Sequence, residues 1–322
     1  MSNSTTTAAA LARAPWRCTD RALDRRSFVR RATAALVAGA LAPLPACRTV
    51  APGSRWQIGC YTRPWDQHDY RVALDAIAEA GFRYAGIMTA KGKSWVIISA
   101  ETSLEAAADV GTEVRRRGLR TASVYGDFKP TADVASNVRA LSRLVGHCAA
   151  CGSPDLLLGG TGEASLHEPY YRAIAEVCPE AQSRGVRLTI KPHGGRNATG
   201  PQCREAIEGV RHPNFRLWYD PGNIYYYSDG ALDPVADAAT VDGLVVGMSV
   251  KDFLPPKEVM VTPGTGRVDF AGVLRRLGAG GFRGGPLVVE CLARGDGQDV
   301  RRITAQAVQA RQFLESLISG LA

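Results

Sequence analysis

The chain has 322 residues, 45% of them hydrophobic and 22% charged, which is enough for one large buried core, and α/β barrels commonly reach this length as a single domain. Its formal net charge of +8 is unevenly spread: residues 1–46 hold seven Arg against two Asp, which leaves the remainder at +3. The basic balance belongs mostly to this leader, so it implies no nucleic-acid partner.

Within the leader, Arg25-Arg26 is followed by Phe28 and then by a mildly apolar stretch from Ala32 to Ala42. This pattern matches a twin-arginine export signal and predicts removal of residues 1–46, with the mature chain periplasmic or otherwise extracytoplasmic. The apolar stretch is too short to span a bilayer comfortably. Leu44-Pro45-Ala46-Cys47 also resembles a bacterial lipobox, with an atypical Pro. Two outcomes are compatible with it: a lipid on Cys47 as the one membrane attachment, or ordinary cleavage near Ala46 and a soluble product. A third reading makes the segment an Arg-rich amphipathic helix of the fold. Residues 47–55 read as a linker and 56–320 as the folded domain.

From Trp56 onward, strand and helix patterns alternate. Strands are predicted at Gln57 to Tyr61, Tyr84 to Met88, Arg120 to Tyr125 and Asp155 to Leu158. Four more follow in Leu188 to Gly195 (LTIKPHGG), Leu217 to Asn223 (LWYDPGN), Val245 to Phe253 (VVGMSVKDF) and Pro286 to Leu292 (PLVVECL). Helices are predicted between them, as at Tyr70 to Ala80, Ser103 to Arg117, Ala132 to Cys151, Pro169 to Arg184 and Phe270 to Leu277, with a closing helix from Val300 to Ser319. Gly81, Gly118 and Gly185 each end a helix just before a strand, as C-terminal caps do. Eight strands in such alternation favour a closed (β/α)8 barrel over an open doubly wound sheet, and no G-x-G-x-x-G follows the first strand. The irregular segment Phe253 to Val268 follows strand seven and is expected over the catalytic rim, in the place of a lid.

The last four strands end in polar residues: Lys191, His193, Asp220, Ser249, Lys251, Asp252 and Glu290. In a barrel these converge on one mouth. Of the eight cysteines, Cys18 lies in the leader and Cys47 at its boundary; the others fall in predicted strands and helices and read as small buried residues. Cys148 and Cys151 beside His147 form a C-x-x-C with no second pair, which makes a metal or redox site the weaker reading.

Asp220 in DPGN, the Lys251-Asp252-Phe253 run, the following Pro263 to Phe270 and Glu290 ending strand eight resemble the xylose isomerase-like family of sugar isomerase/epimerase TIM barrels. The resemblance covers roughly Trp56 to Ile318. It implies a divalent metal on Glu, Asp, His and Glu from strands five to eight, polarising sugar oxygens while a base moves a proton beside a carbonyl. Asp220 and Glu290 keep two of those ligands. Lys191 stands at the strand-five Glu and Ser249 at the strand-seven His, so the metal mechanism is in doubt. More distant relatives that cleave DNA need a histidine-rich rim, which this chain lacks.

Three readings of the altered site remain. In one, Asp220, Glu290 and His193 still bind Mn, Zn, Co or Mg. In another, Lys191 stabilises an enolate-like oxyanion while His193 moves protons, with Schiff-base chemistry on Lys191 ranked lower because the carboxylates would hold its proton. In the third, the ion pair is structural and the barrel only binds a carbohydrate or contacts a partner. Arg63, Trp65, Tyr125, Asp127, Asn223, Ser249 and Lys251 are the candidate substrate contacts, each weighed against loop packing, capping or a rim salt bridge. The expected activity is proton transfer next to a carbonyl of a carbohydrate or polyol, of the isomerase/epimerase type. The alternatives are a keto-sugar lyase or hydratase and an inactive sugar-binding barrel.

Overall fold

The computed structural model describes residues 55–92, 94–126, 128–295 and 299–321; the expected export signal, the expected lipidation site Cys47 and residues 48–54 of the expected linker lie outside the described residues. Eight short runs rich in Val, Leu and Ile form parallel strands: β1 (Trp56–Tyr61), β2 (Tyr84–Ile87), β3 (Arg120–Tyr125), β4 (Asp155–Leu158), β5 (Arg187–Ile190), β6 (Phe215–Tyr219), β7 (Val245–Val250) and β8 (Gly285–Val289). They close into one barrel in chain order, with β1 paired to β8 from Trp56 opposite Gly285 to Cys60 opposite Val289. The single (β/α)8 barrel expected from the alternation is the fold.

The helices are α1 (Tyr70–Glu79), α2 (Leu104–Arg116), α3 (Val134–Cys151), α4 (His167–Ser183), α5 (Gly200–Val210), α6 (Pro221–Tyr227), α7 (Pro234–Ala238), α8 (Phe270–Ala279) and α9 (Val300–Ser319). Aspartate or serine caps open many of them, as where Asp133 accepts from the N–H groups of Ala135 and Ser136. Gly118 and Gly185, both at φ +70°, turn the chain from helix into strand in a conformation costly for any side chain. Each helix buries one stripe against the barrel, for instance Ala73, Leu74, Ala76 and Ile77 of α1. Among the described residues no helix is long and apolar enough to cross a membrane.

A second apolar cluster, including Tyr61, Met88, Ala122, Tyr125, Leu157, Trp218 and Val288, fills the barrel. Large rings there are matched by missing side chains. A Cβ on Gly86 would lie 2.2 Å from the ring of Tyr61, and one on Gly247 would lie 2.5 Å from Trp218. The Tyr61 hydroxyl is meanwhile fixed 2.7 Å from Ser123 Oγ. Gly86→Ala therefore overpacks the barrel and is expected to cost about 1–3 kcal/mol, seen as a thermal midpoint lower by several degrees. An unchanged midpoint would mean that Tyr61 can swing aside.

Candidate active site

The ladders of the last four strands stop one residue short of the chemistry. β5 ends at Ile190, β6 at Tyr219, β7 at Val250 and β8 at Val289, and the next residues are Lys191, Asp220, Lys251 and Glu290. Because the strands are parallel, all four lie at one rim. Pro192 and Pro221, which lack an N–H, help take the chain out of the sheet immediately beyond two of them.

These side chains form one ion cluster, each residue at most 2% exposed. Lys191 Nζ lies 3.2 Å from Asp220 Oδ2 and 2.5 Å from Glu290 Oε2. Lys251 Nζ lies 3.1 Å from the same Asp220 oxygen and 2.8 Å from Glu290 Oε1. Arg63, in the 3-10 turn after β1, donates from Nη1 to Glu290 Oε1 at 2.6 Å. The remaining oxygen, Asp220 Oδ1, accepts the Asn223 N–H at 3.0 Å and caps α6. Every carboxylate oxygen in the cluster is thus engaged.

The two lysines differ electrostatically. Burial works against the charge of Lys251, but Asp220 and Glu290 outweigh it and hold its pKa above the usual lysine value. For Lys191 burial dominates; Glu290 and Asp220 only partly offset it, and neighbouring Lys251 adds to the lowering. Lys191 is therefore the lysine that releases its proton more readily. Burial alone would raise the Glu290 carboxyl, yet Lys191, Lys251 and Arg63 keep it well below the usual range. Burial and then the two ammonium charges push His193 down to about 3, so its imidazole is neutral near pH 7.

The mouth above the cluster is aromatic. The half-buried His193 ring lies 6.2 Å from Tyr125 and 6.0 Å from Tyr227, and Trp95 stands edge-on to Tyr125 at 6.1 Å. Trp95, 57% exposed, escaped sequence reasoning; an aromatic residue in the loop after the second strand was its only signal. Tyr227 reaches this mouth, whereas Tyr225 stacks on Phe253 at 5.3 Å beneath the Arg267 guanidinium.

Other expected contacts are placed differently. Trp65 is fully buried in the apolar core and is not presented at the rim, because the turn from Arg63 to Trp65 aims it inward. Asn223 is an internal brace: its Nδ2 donates to Pro192 O at 2.6 Å and its Oδ1 accepts from Lys251 Nζ at 2.9 Å. Ser249 sits one layer below Lys251, and its buried Oγ has no hydrogen-bond partner among the described residues. Asp127 lies outside the described residues. Cys148 and Cys151 are buried free thiols, both pushed up by burial, and His147 Nδ1 lies 3.2 Å from Ser99 O.

A model of the family described as xylose isomerase-like TIM barrel matches residues 74–317. The chain belongs to this family. Among solved structures it is similar to a xylose isomerase domain protein from Planctomyces limnophilus, at 20% identity and a TM-score of 0.62, covering 81% of this chain and 97% of that one. It is also similar to D-psicose 3-epimerase with D-tagatose from Clostridium cellulolyticum H10, at 14% identity and 0.65, covering 81% and 99%. A third is D-allulose 3-epimerase from Methylomonas sp. in complex with D-allulose, at 16% and 0.61, covering 82% and 98%. No curated protein matches the chain significantly.

For this xylose isomerase-like barrel, the expected divalent site on Asp220, Glu290 and His193 does not fit. Two ammonium groups and a guanidinium occupy the carboxylate oxygens a cation would need, and His193 turns to the aromatic mouth. Among the described residues no three His, Cys, Asp or Glu are grouped to hold a metal ion. Lys191 between the two carboxylates is the physical cause, reinforced by Lys251, which shares Asp220 Oδ2 with it and takes the other oxygen of Glu290.

The segment after β7, expected as a lid, is tied down. Asp252 Oδ1 accepts the N–H groups of Phe253 and Val268 at 2.8 and 3.0 Å, and Oδ2 those of Gly264 and Gly266 at 2.9 and 2.8 Å. The glycine-rich run is a turn wrapped on one carboxylate. Asp252→Ala should cost at least about 2 kcal/mol and speed hydrogen exchange at the Gly264, Gly266 and Val268 amides. Unaltered exchange there would show that other contacts hold the loop.

Proposed function

We propose that this barrel is an exported carbohydrate enzyme of the isomerase/epimerase type that moves a proton next to a carbonyl, with paired ammonium groups standing where such barrels place a dication. The observation that carries this reading is the bridging of Asp220 and Glu290 by both Lys191 and Lys251 at the strand ends. A structural neighbour named as an epimerase and holding D-tagatose supports a carbohydrate ligand.

In this mechanism the sugar carbonyl displaces part of the ion network, and Lys251 stabilises the enolate oxygen. Lys191, once neutral, takes the proton from the adjacent carbon as that carbon's electrons form the enolate double bond. Return of the proton to the former carbonyl carbon, with the hydroxyl proton of the deprotonated carbon passing to the enolate oxygen, completes an isomerisation; delivery of a solvent proton to the opposite face of the deprotonated carbon completes an epimerisation, the first proton leaving Lys191 to water. Asp220 and Glu290 keep the cations in place, and neutral His193 offers a hydrogen bond at the mouth. Trp95, Tyr125 and Tyr227 supply apolar faces for the sugar ring. A keto-sugar lyase would share the first step and expel a β-hydroxyl. The near-complete burial of the ion cluster favours a second reading, a barrel that binds sugars without turning them over.

Deuterium uptake from D2O into D-fructose and D-tagatose, followed by NMR with EDTA present, tests the proposal. Exchange should persist in EDTA and fall by about a hundredfold or more in Lys191→Met and Lys251→Met. Binding without exchange would favour the sugar-binding barrel, and exchange that depends on added Mn or Co would overturn the ammonium reading. Product analysis separates isomer from eliminated product. Export has its own check: Arg25→Lys with Arg26→Lys should trap the unprocessed chain in the cytoplasm, and labelled palmitate on Cys47 distinguishes anchored from soluble product.

A further inference from the structure

Arg63 differs from the other members of the ion cluster. Its side chain is 26% exposed, whereas those of Lys191, Asp220, Lys251 and Glu290 are at most 3% exposed. It spends one N–H, from Nη1, on Glu290 Oε1. Among the described residues nothing hydrogen-bonds to its Nε or Nη2, and neither atom is among the buried unpartnered groups, so this edge is accessible to solvent. The Nε/Nη2 edge of a guanidinium presents two parallel donors, the geometry that grips a carboxylate with both oxygens.

Among the described residues, Arg63 shares its one carboxylate partner. Its partner Glu290 also serves Lys191 and Lys251, so three cationic side chains share the two carboxylates of Asp220 and Glu290. The turn that carries Arg63 is braced from behind: Arg294 Nη2 donates to Arg63 O at 2.7 Å and to Asp66 Oδ2 at 2.9 Å. Arg294 is therefore paired with Asp66, whereas Arg63 keeps a donor edge without a partner among the described residues.

We propose that the mouth selects an anionic carbohydrate, a sugar acid whose carboxylate pairs with the open Nε/Nη2 edge of Arg63 while its carbonyl end reaches Lys191 and Lys251. This rests on the reading of the rim as a carbohydrate site and adds the substrate class to it. A neutral sugar would leave that guanidinium edge facing only water, whereas a carboxylate gains a charge-assisted bidentate pair.

Calorimetric titration of the mature protein with D-glucuronate, D-galacturonate and D-mannuronate, each against its parent hexose, and with inorganic phosphate, tests this at low ionic strength. At least one uronate should bind about tenfold or more tighter than its hexose. Arg63→Gln should abolish that preference, and added salt should narrow it in the wild type. Equal affinities within every pair, absence of uronate binding across the panel, or a preference that survives Arg63→Gln would each overturn the assignment. Phosphate binding as tightly as the best uronate would also overturn it, by showing a general anion site. Uronate preference without deuterium exchange would sink the proposed turnover while leaving this inference standing. Exchange into neutral sugars with no uronate preference would do the reverse.

Discussion

The top of the barrel is organised by a buried charge balance in which two carboxylates are held by two ammonium groups and one guanidinium. Removing any of these ions from water is costly, and the arrangement persists because each carboxylate oxygen finds a donor and each ammonium finds at least two oxygens. Neutralising one member strands its partners as unpaired buried charges, which is why the cluster behaves as a unit.

Much of the neighbouring structure serves that balance. Asn223 braces Lys251 against the Pro192 carbonyl, and Asn197 Nδ2 ties Lys191 O to Gly159 O, each at 3.0 Å. Asp220 has two tasks at once, since one oxygen starts α6 and the other receives both lysines. Asp252, one residue beyond Lys251, takes no part in the cluster and instead gathers four backbone N–H groups from the following loop. Adjacent residues on one strand end thus divide the work: one faces the mouth and the other fixes the wall beside it.

The site expected from the sequence and the site found differ in charge placement. A dication concentrates its charge at a point among open-sided ligands, whereas two lysines distribute it over two movable stems and carry protons of their own. Burial lowers the proton affinity of Lys191 while the carboxylates raise that of Lys251, so a chemically identical pair is made electrostatically unequal. Arg63 extends the positive charge toward solvent, where ligand selection can take place.

The alternation of apolar runs with Gly-capped helices was enough to read eight strands and a closed barrel. The rim positions of Lys191, Asp220, Lys251 and Glu290 were also legible, because each directly follows a short β-branched or apolar run. What each side chain touches was not. Lys191 meets Glu290 across 99 residues, and whether a metal, a lysine or both sit between the carboxylates depends on barrel closure and strand register. Trp65 was a candidate substrate contact and is core, whereas Trp95, which sequence reasoning did not single out, lines the mouth, since turn geometry decides which way a loop aromatic points. Sequence by itself determined the fold and the chemical types at the rim, because hydrophobic periodicity and chain punctuation are local. Only the tertiary structure decided that two lysines share the same carboxylate pair and that Arg63 keeps an open edge, because those are contacts between strand ends that meet only when the barrel closes.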